Sequence, residues 1–107
     1  MFVKVCTTDT FAATQTKRFT VHARDIFIVH TEGRYFAYLN HCPHRGETLD
    51  WQENNFLDDE GELLRCAAHG ALFEPDSGLC VSGPCRGESL QSIPLQQRSN
   101  MLYVKLD

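Results

Sequence analysis

The chain has 107 residues, 42% apolar and 22% charged, which fits one small domain over residues 1–107, leaves no room for a second and excludes disorder by composition. Ten Lys and Arg against fourteen Asp and Glu give a net charge of −4, which argues against nucleic acid as a main partner because phosphate binding needs a basic surface. No apolar run approaches the ~20 residues of a membrane span, and Met1-Phe2-Val3-Lys4-Val5 lacks the basic stretch and apolar block of a secretion signal, so a cytoplasmic setting without a membrane partner is expected.

In chain order, Asp9 to Lys17 is rich in threonine and reads as loop rather than helix. Phe19, Val21 and Ala23 then alternate with Thr20 and His22, the period of a strand. Ile26-Phe27-Ile28-Val29 and Tyr35-Phe36-Ala37-Tyr38-Leu39 flank Thr31-Glu32-Gly33-Arg34, and together they predict a β-hairpin. Trp51 to Glu62 is polar and acidic and reads as a surface excursion between strands. Pro75-Asp76-Ser77-Gly78 is a strong turn between Ala71-Leu72-Phe73 and Leu79-Cys80-Val81. After Arg98-Ser99-Asn100, Leu102, Val104 and Leu106 alternate with Tyr103 and Lys105. No stretch carries a helical stripe. The expectation is an all-β antiparallel sandwich or barrel of about eight to ten short strands.

Five Cys and five His stand out in so short a chain. Without a secretion signal they point to metal or redox chemistry rather than to a disulfide framework, and an odd Cys count would leave such a framework one short. Two segments concentrate them: Asn40-His41-Cys42-Pro43-His44-Arg45-Gly46 and Arg65-Cys66-Ala67-Ala68-His69-Gly70-Ala71. The pattern is C-x-H, twenty-one residues, then C-x-x-H. A mononuclear Cys₂His₂ zinc site usually takes its Cys pair from one hairpin and its His pair from elsewhere. Here each segment offers one thiolate and one imidazole, which suits a two-metal centre in which one metal takes both thiolates and the other both imidazoles. A Rieske-type [2Fe–2S] cluster has that ligand set.

The sequence resembles the Rieske ferredoxins and Rieske domains from about Phe19 to Leu106. The resemblance rests on Cys42-Pro43-His44-Arg45-Gly46, Cys66-Ala67-Ala68-His69-Gly70, Phe73 with Ser77-Gly78 after it, and Ser82-Gly83-Pro84. It implies a β-sandwich core with a small cluster-binding subdomain, its cluster loops at about 40–48 and 65–71 and a proline loop at about 82–85. It implies that Cys42 and Cys66 ligate the buried iron and His44 and His69 the outer iron. Gly46 and Gly70 would let backbone N–H groups approach the cluster sulfurs. No residue is assigned a catalytic role: the implied function is one-electron transfer between a reductase and an oxygenase-like acceptor.

Several departures from the family pattern matter. The gap between the two motifs is a few residues longer than is common, and the excess falls in the polar 54–62 stretch. Ala67 stands where Pro is frequent. The positions of the extra Cys pair of respiratory Rieske proteins hold Arg45 or Gly46 and Ala68, so that bridge is not expected. Ala71-Leu72-Phe73 has no hydroxyl where those proteins place donors to the cluster. Fewer donors stabilise the reduced cluster less, which places the expected potential low in the Rieske range of roughly −150 to +300 mV.

Two further readings differ in class: a small subunit of a larger redox complex of the nitrite-reductase kind, and a zinc-binding interaction module. Among other residues, Cys80 and Cys85 near the proline loop read either as a redox-active pair or as two reduced thiols, and a reducing cytosol favours the thiols. Cys6 reads as a small strand hydrophobe. His41 reads as structural or exposed, His22 and His30 as strand residues that point to solvent or the sheet margin, and Trp51 as core packing. Asp58-Asp59-Glu60 reads as a solvated loop that would also suit steering of a basic partner.

Overall fold

The computed structural model describes residues 1–11, 15–41, 62–65, 70–83 and 86–106. Among these residues lie ten strands, β1 (Phe2–Thr7), β2 (Gln15–Val21), β3 (Arg24–Thr31), β4 (Arg34–Leu39), β5 (Leu64–Arg65), β6 (Leu72–Phe73), β7 (Cys80–Ser82), β8 (Ser92–Ile93), β9 (Leu95–Arg98) and β10 (Met101–Lys105), with one 3₁₀ turn at Thr8–Thr10. They form three antiparallel sheets ordered β1-β10-β9, β2-β3-β4-β8 and β5-β6-β7. The all-β expectation is borne out, and no helix among the described residues is long and apolar enough to cross a membrane.

The central feature is β3. Ile26, Phe27, Ile28 and Val29 are all fully buried. A strand with no polar alternation must be covered on both faces, and this one is. Successive side chains point to opposite faces. Ile26 and Ile28 therefore join Phe11, Ala37, Ile93, Leu102 and Val104, the core shared with the β1-β10-β9 sheet. Phe27 and Val29 join Tyr38, Leu64, Ala71, Phe73, Cys80 and Leu90, the core shared with the β5-β6-β7 sheet. Register agrees with this division: Ile28 pairs with Ala37 and Phe27 with Tyr38. Each fully buried side chain of this size contributes roughly 1.5–3 kcal/mol relative to exposure.

The β3–β4 hairpin is where the sequence predicts it. Glu32 and Gly33 have φ of +53° and +74°, the two positive values a type I′ turn requires. The strand expected through Ala23 stops at Val21 instead. Val21 pairs with Arg24, so His22 and Ala23 form another two-residue turn, with φ of +50° and +65°. His22 is thus a turn residue, not a strand residue. The stretch read as loop from Asp9 is a 3₁₀ turn at its start, and Lys17 already lies in β2.

Among the described residues, β2 stands at one margin of its sheet. Its Arg18 pairs with Asp25 of β3 through two guanidinium hydrogen bonds. Lys17 lies opposite Ile28, on the side from which Phe19 and Val21 pack into the core. Cys6 sits half-buried in β1 at a register shift and packs against the same core. Burial raises its thiol pKa most, and Asp9 adds to that, while a Thr10 hydrogen bond and Lys17 oppose it. It is the strand hydrophobe the sequence suggests. The polar stretch from Trp51 lies outside the described residues up to Glu62, which is exposed.

Candidate metal centre

The four candidate ligands Cys42, His44, Cys66 and His69 lie outside the described residues, as do Gly46, Trp51, Asp58, Asp59, Glu60, Pro84 and Cys85. The chain that leads to and from them is described. β4 ends three residues before Cys42, β5 ends directly before Cys66, and β6 begins three residues after His69.

At the first motif, Asn40 is 4% exposed, and its N–H donates to the Asp25 carbonyl at 2.9 Å. That bond continues the β3–β4 ladder past the end of β4. The His41 N–H turns back to the Leu39 carbonyl at 2.9 Å, and His41 is exposed, as its sequence reading has it. At the second motif, Leu64 and Ala71 are both fully buried, and they belong to the same core as Tyr38 of β4. One core thus receives side chains from the segments that flank both motifs.

The strand that precedes Pro84 lies against the residues that follow the second motif. Ser82 pairs with Leu72. Gly83 has φ +102°, and a Cβ there would lie 2.8 Å from the Cα of Ala71. Only glycine permits that approach. Gly83, which leads into the loop expected to cover a cluster, therefore packs against Ala71, two residues after His69 in sequence. Gly70 has φ +69°, so its contribution is a backbone conformation. Cys80 is buried in β7, and its thiol lies 3.2 Å from the Ser82 carbonyl.

Of the remaining histidines, His30 is half-buried and stacks on Tyr35, with ring centroids 4.3 Å apart and planes at 8°. Phe11 meets the edge of both rings. This is a packing role. No group of three or more His, Cys, Asp and Glu among the described residues is placed to hold a metal ion.

The sequence reading missed Tyr38. Its ring packs against Phe27 at 5.6 Å between centroids, and its hydroxyl donates to the Pro75 carbonyl at 2.6 Å. Burial, and secondarily the Asp76 carboxylate, push its phenol pKa up to about 12. Strand alternation marks Tyr38 as sharing a face with Phe36, but a contact across 37 residues leaves no local signal.

The profile of the Rieske [2Fe-2S] domain family matches residues 1–97. The ferredoxin component of the alkene monooxygenase system of Xanthobacter autotrophicus is 30% identical, over 96% of this chain and 80% of that protein. The iron-sulfur subunit of the toluene-4-sulfonate monooxygenase system of Comamonas testosteroni is 32% identical over 69% of this chain, which spans only 21% of that protein. Among solved structures, the ferredoxin of carbazole 1,9a-dioxygenase from Nocardioides aromaticivorans superposes with a TM-score of 0.79 at 20% identity, covering 97% of this chain and 96% of that one. The chain belongs to the Rieske [2Fe-2S] domain family. Its cofactor is a Rieske-type [2Fe–2S] cluster, and its chemistry is electron transfer. The described residues fit that group: the segments bearing two thiols and two imidazoles are flanked by strands of one core, and Gly83 makes a close backbone approach to Ala71, just after the second of them.

Proposed function

We propose that the chain is a one-electron carrier in an oxygenase system, accepting from a reductase and delivering to a terminal oxygenase. Residues 1–107 would act as a single Rieske domain in the cytoplasm. Cys42 and Cys66 would hold one iron of the cluster, His44 and His69 the other. The observation that carries this reading is the doubled Cys/His motif in a family member whose relatives include the ferredoxin component of an alkene monooxygenase system.

When bound, the cluster supplies a single redox-active centre that stores one electron. The chain's own part is to hold two thiolates and two imidazoles at a fixed spacing. Ala71, Leu72 and Phe73 offer no hydroxyl to the centre, and two of the three, Ala71 and Phe73, are fully buried. A potential low in the Rieske range, roughly −150 to +300 mV, follows from that composition.

Visible absorption and low-temperature EPR of the oxidised and dithionite-reduced protein test the assignment. A red-brown protein with the low-average-g signal of mixed His/Cys ligation is expected, and His69→Cys should abolish or alter that signal. A colourless protein holding one zinc and no iron would overturn it.

A further inference from the structure

A single side chain joins the strand that leads to the first motif with the hairpin that leads away from the second. Tyr38 lies on β4, four residues before Cys42. Its ring is 1% exposed and shares a core with Leu64, Ala71 and Phe73. These residues belong to the segments on either side of Cys66 and His69. The Tyr38 hydroxyl then donates to the Pro75 carbonyl at 2.6 Å, in the turn between β6 and β7.

That turn is fitted to the ring. The Gly78 N–H donates to the Glu74 carbonyl at 2.8 Å, and the Glu74 N–H to the Leu79 carbonyl at 2.9 Å. Gly78 has φ +76°, and a Cβ there would lie 2.8 Å from Tyr38 Cε1. The turn backbone therefore rests on the phenol ring while the hydroxyl grips its carbonyl. Apolar contact is non-directional and permits sliding. A hydrogen bond fixes distance and angle. A buried phenol requires a partner, and here the partner belongs to the other arm.

We propose that Tyr38 is a positioning residue for the iron–sulfur cluster, its bond to Pro75 setting the separation of the two segments that supply the Cys/His pairs. The inference rests on the ligand assignment above. Ligands drawn from two distant segments must be brought to one spacing, and groups outside the ligand shell commonly do this. Tyr38 acts through β4 and the β6–β7 hairpin.

The test compares Tyr38→Phe with Ile28→Val in the cluster-loaded protein. Tyr38→Phe keeps the ring and removes only the hydroxyl. Ile28 is buried in the core on the opposite face of the same sheet, so its truncation weakens the fold without touching the link. The readouts are the EPR line shape of the reduced protein and the half-life of its visible absorbance in excess chelator. Tyr38→Phe is expected to broaden the EPR features and to shorten the half-life by roughly threefold to tenfold, the effect of one net hydrogen bond. Ile28→Val should leave the line shape as in the wild type. Wild-type line shape and half-life in Tyr38→Phe, or equal changes in both variants, would overturn the inference. A wild-type signal that survives His69→Cys unchanged would instead overturn the ligand assignment and the inference with it.

Discussion

A phenol enclosed by protein on every side titrates late, and Tyr38 does so at about 12 rather than at the ordinary 10.0 because burial and then the Asp76 carboxylate disfavour its anion. The folded chain therefore holds this proton more tightly than the unfolded chain. Its contribution to stability is complete below pH 10.0 and is lost as the pH rises from there through about 12. Urea unfolding across that window should show a decline in the wild type that is shallower in Tyr38→Phe; parallel declines would refute the assignment. Backbone strain gives two more residue-level expectations. Gly83→Ala forces a Cβ to 2.8 Å from the Ala71 Cα at φ +102°, and should cost about 1–3 kcal/mol in denaturant titrations. Ala23 holds a φ of +65° that glycine adopts without strain, so Ala23→Gly should raise stability by up to about 1 kcal/mol.

Among the elements, β3 has the largest share of the core, because its four central residues are buried on alternating faces. Ile28→Ala should cost about 2–5 kcal/mol, read as a shift in the unfolding midpoint. The Arg18–Asp25 pair between β2 and β3 is partly exposed on both sides, and Arg18→Ala should cost less than about 1 kcal/mol. The long strands were legible because periodicity and unbroken apolar runs extend over enough residues to be read. Glu32-Gly33 was legible as a turn because Gly marks the positive φ. His22-Ala23 was not, because it has no glycine to mark the positive φ that the Val21–Arg24 pairing of β2 with β3 requires there. β5, β6 and β8 are two residues long, too short to carry a period, and they exist as strands only through their neighbours. The candidate ligands were legible for a different reason: two Cys/His pairs with following glycines are a chemical pattern that does not depend on secondary structure. The link from Tyr38 to Pro75 was hidden because alternation assigns a face, not the partner that will lie on it.

At the scale of the molecule, a cofactor held only by the folded chain stabilises that fold by mass action. Removing the cluster should lower the thermal midpoint, and a midpoint unchanged on chelation would show that the cluster does not support the fold. The margin of the central sheet has a consequence for how the carrier behaves in company. A strand at the margin of a sheet invites pairing with another chain, and an inward-pointing charge is one means of discouraging it. Lys17 is such a charge, set on the core-facing side of β2 beside Phe19 and Val21. A second chain aligned along β2 would have to cover its ammonium group. Light scattering of concentrated Lys17→Val should therefore show growing assemblies where the wild type scatters steadily. A shuttle that meets its partners by diffusion works best when its own copies remain strangers to one another, and one lysine in an apolar row is placed to favour that.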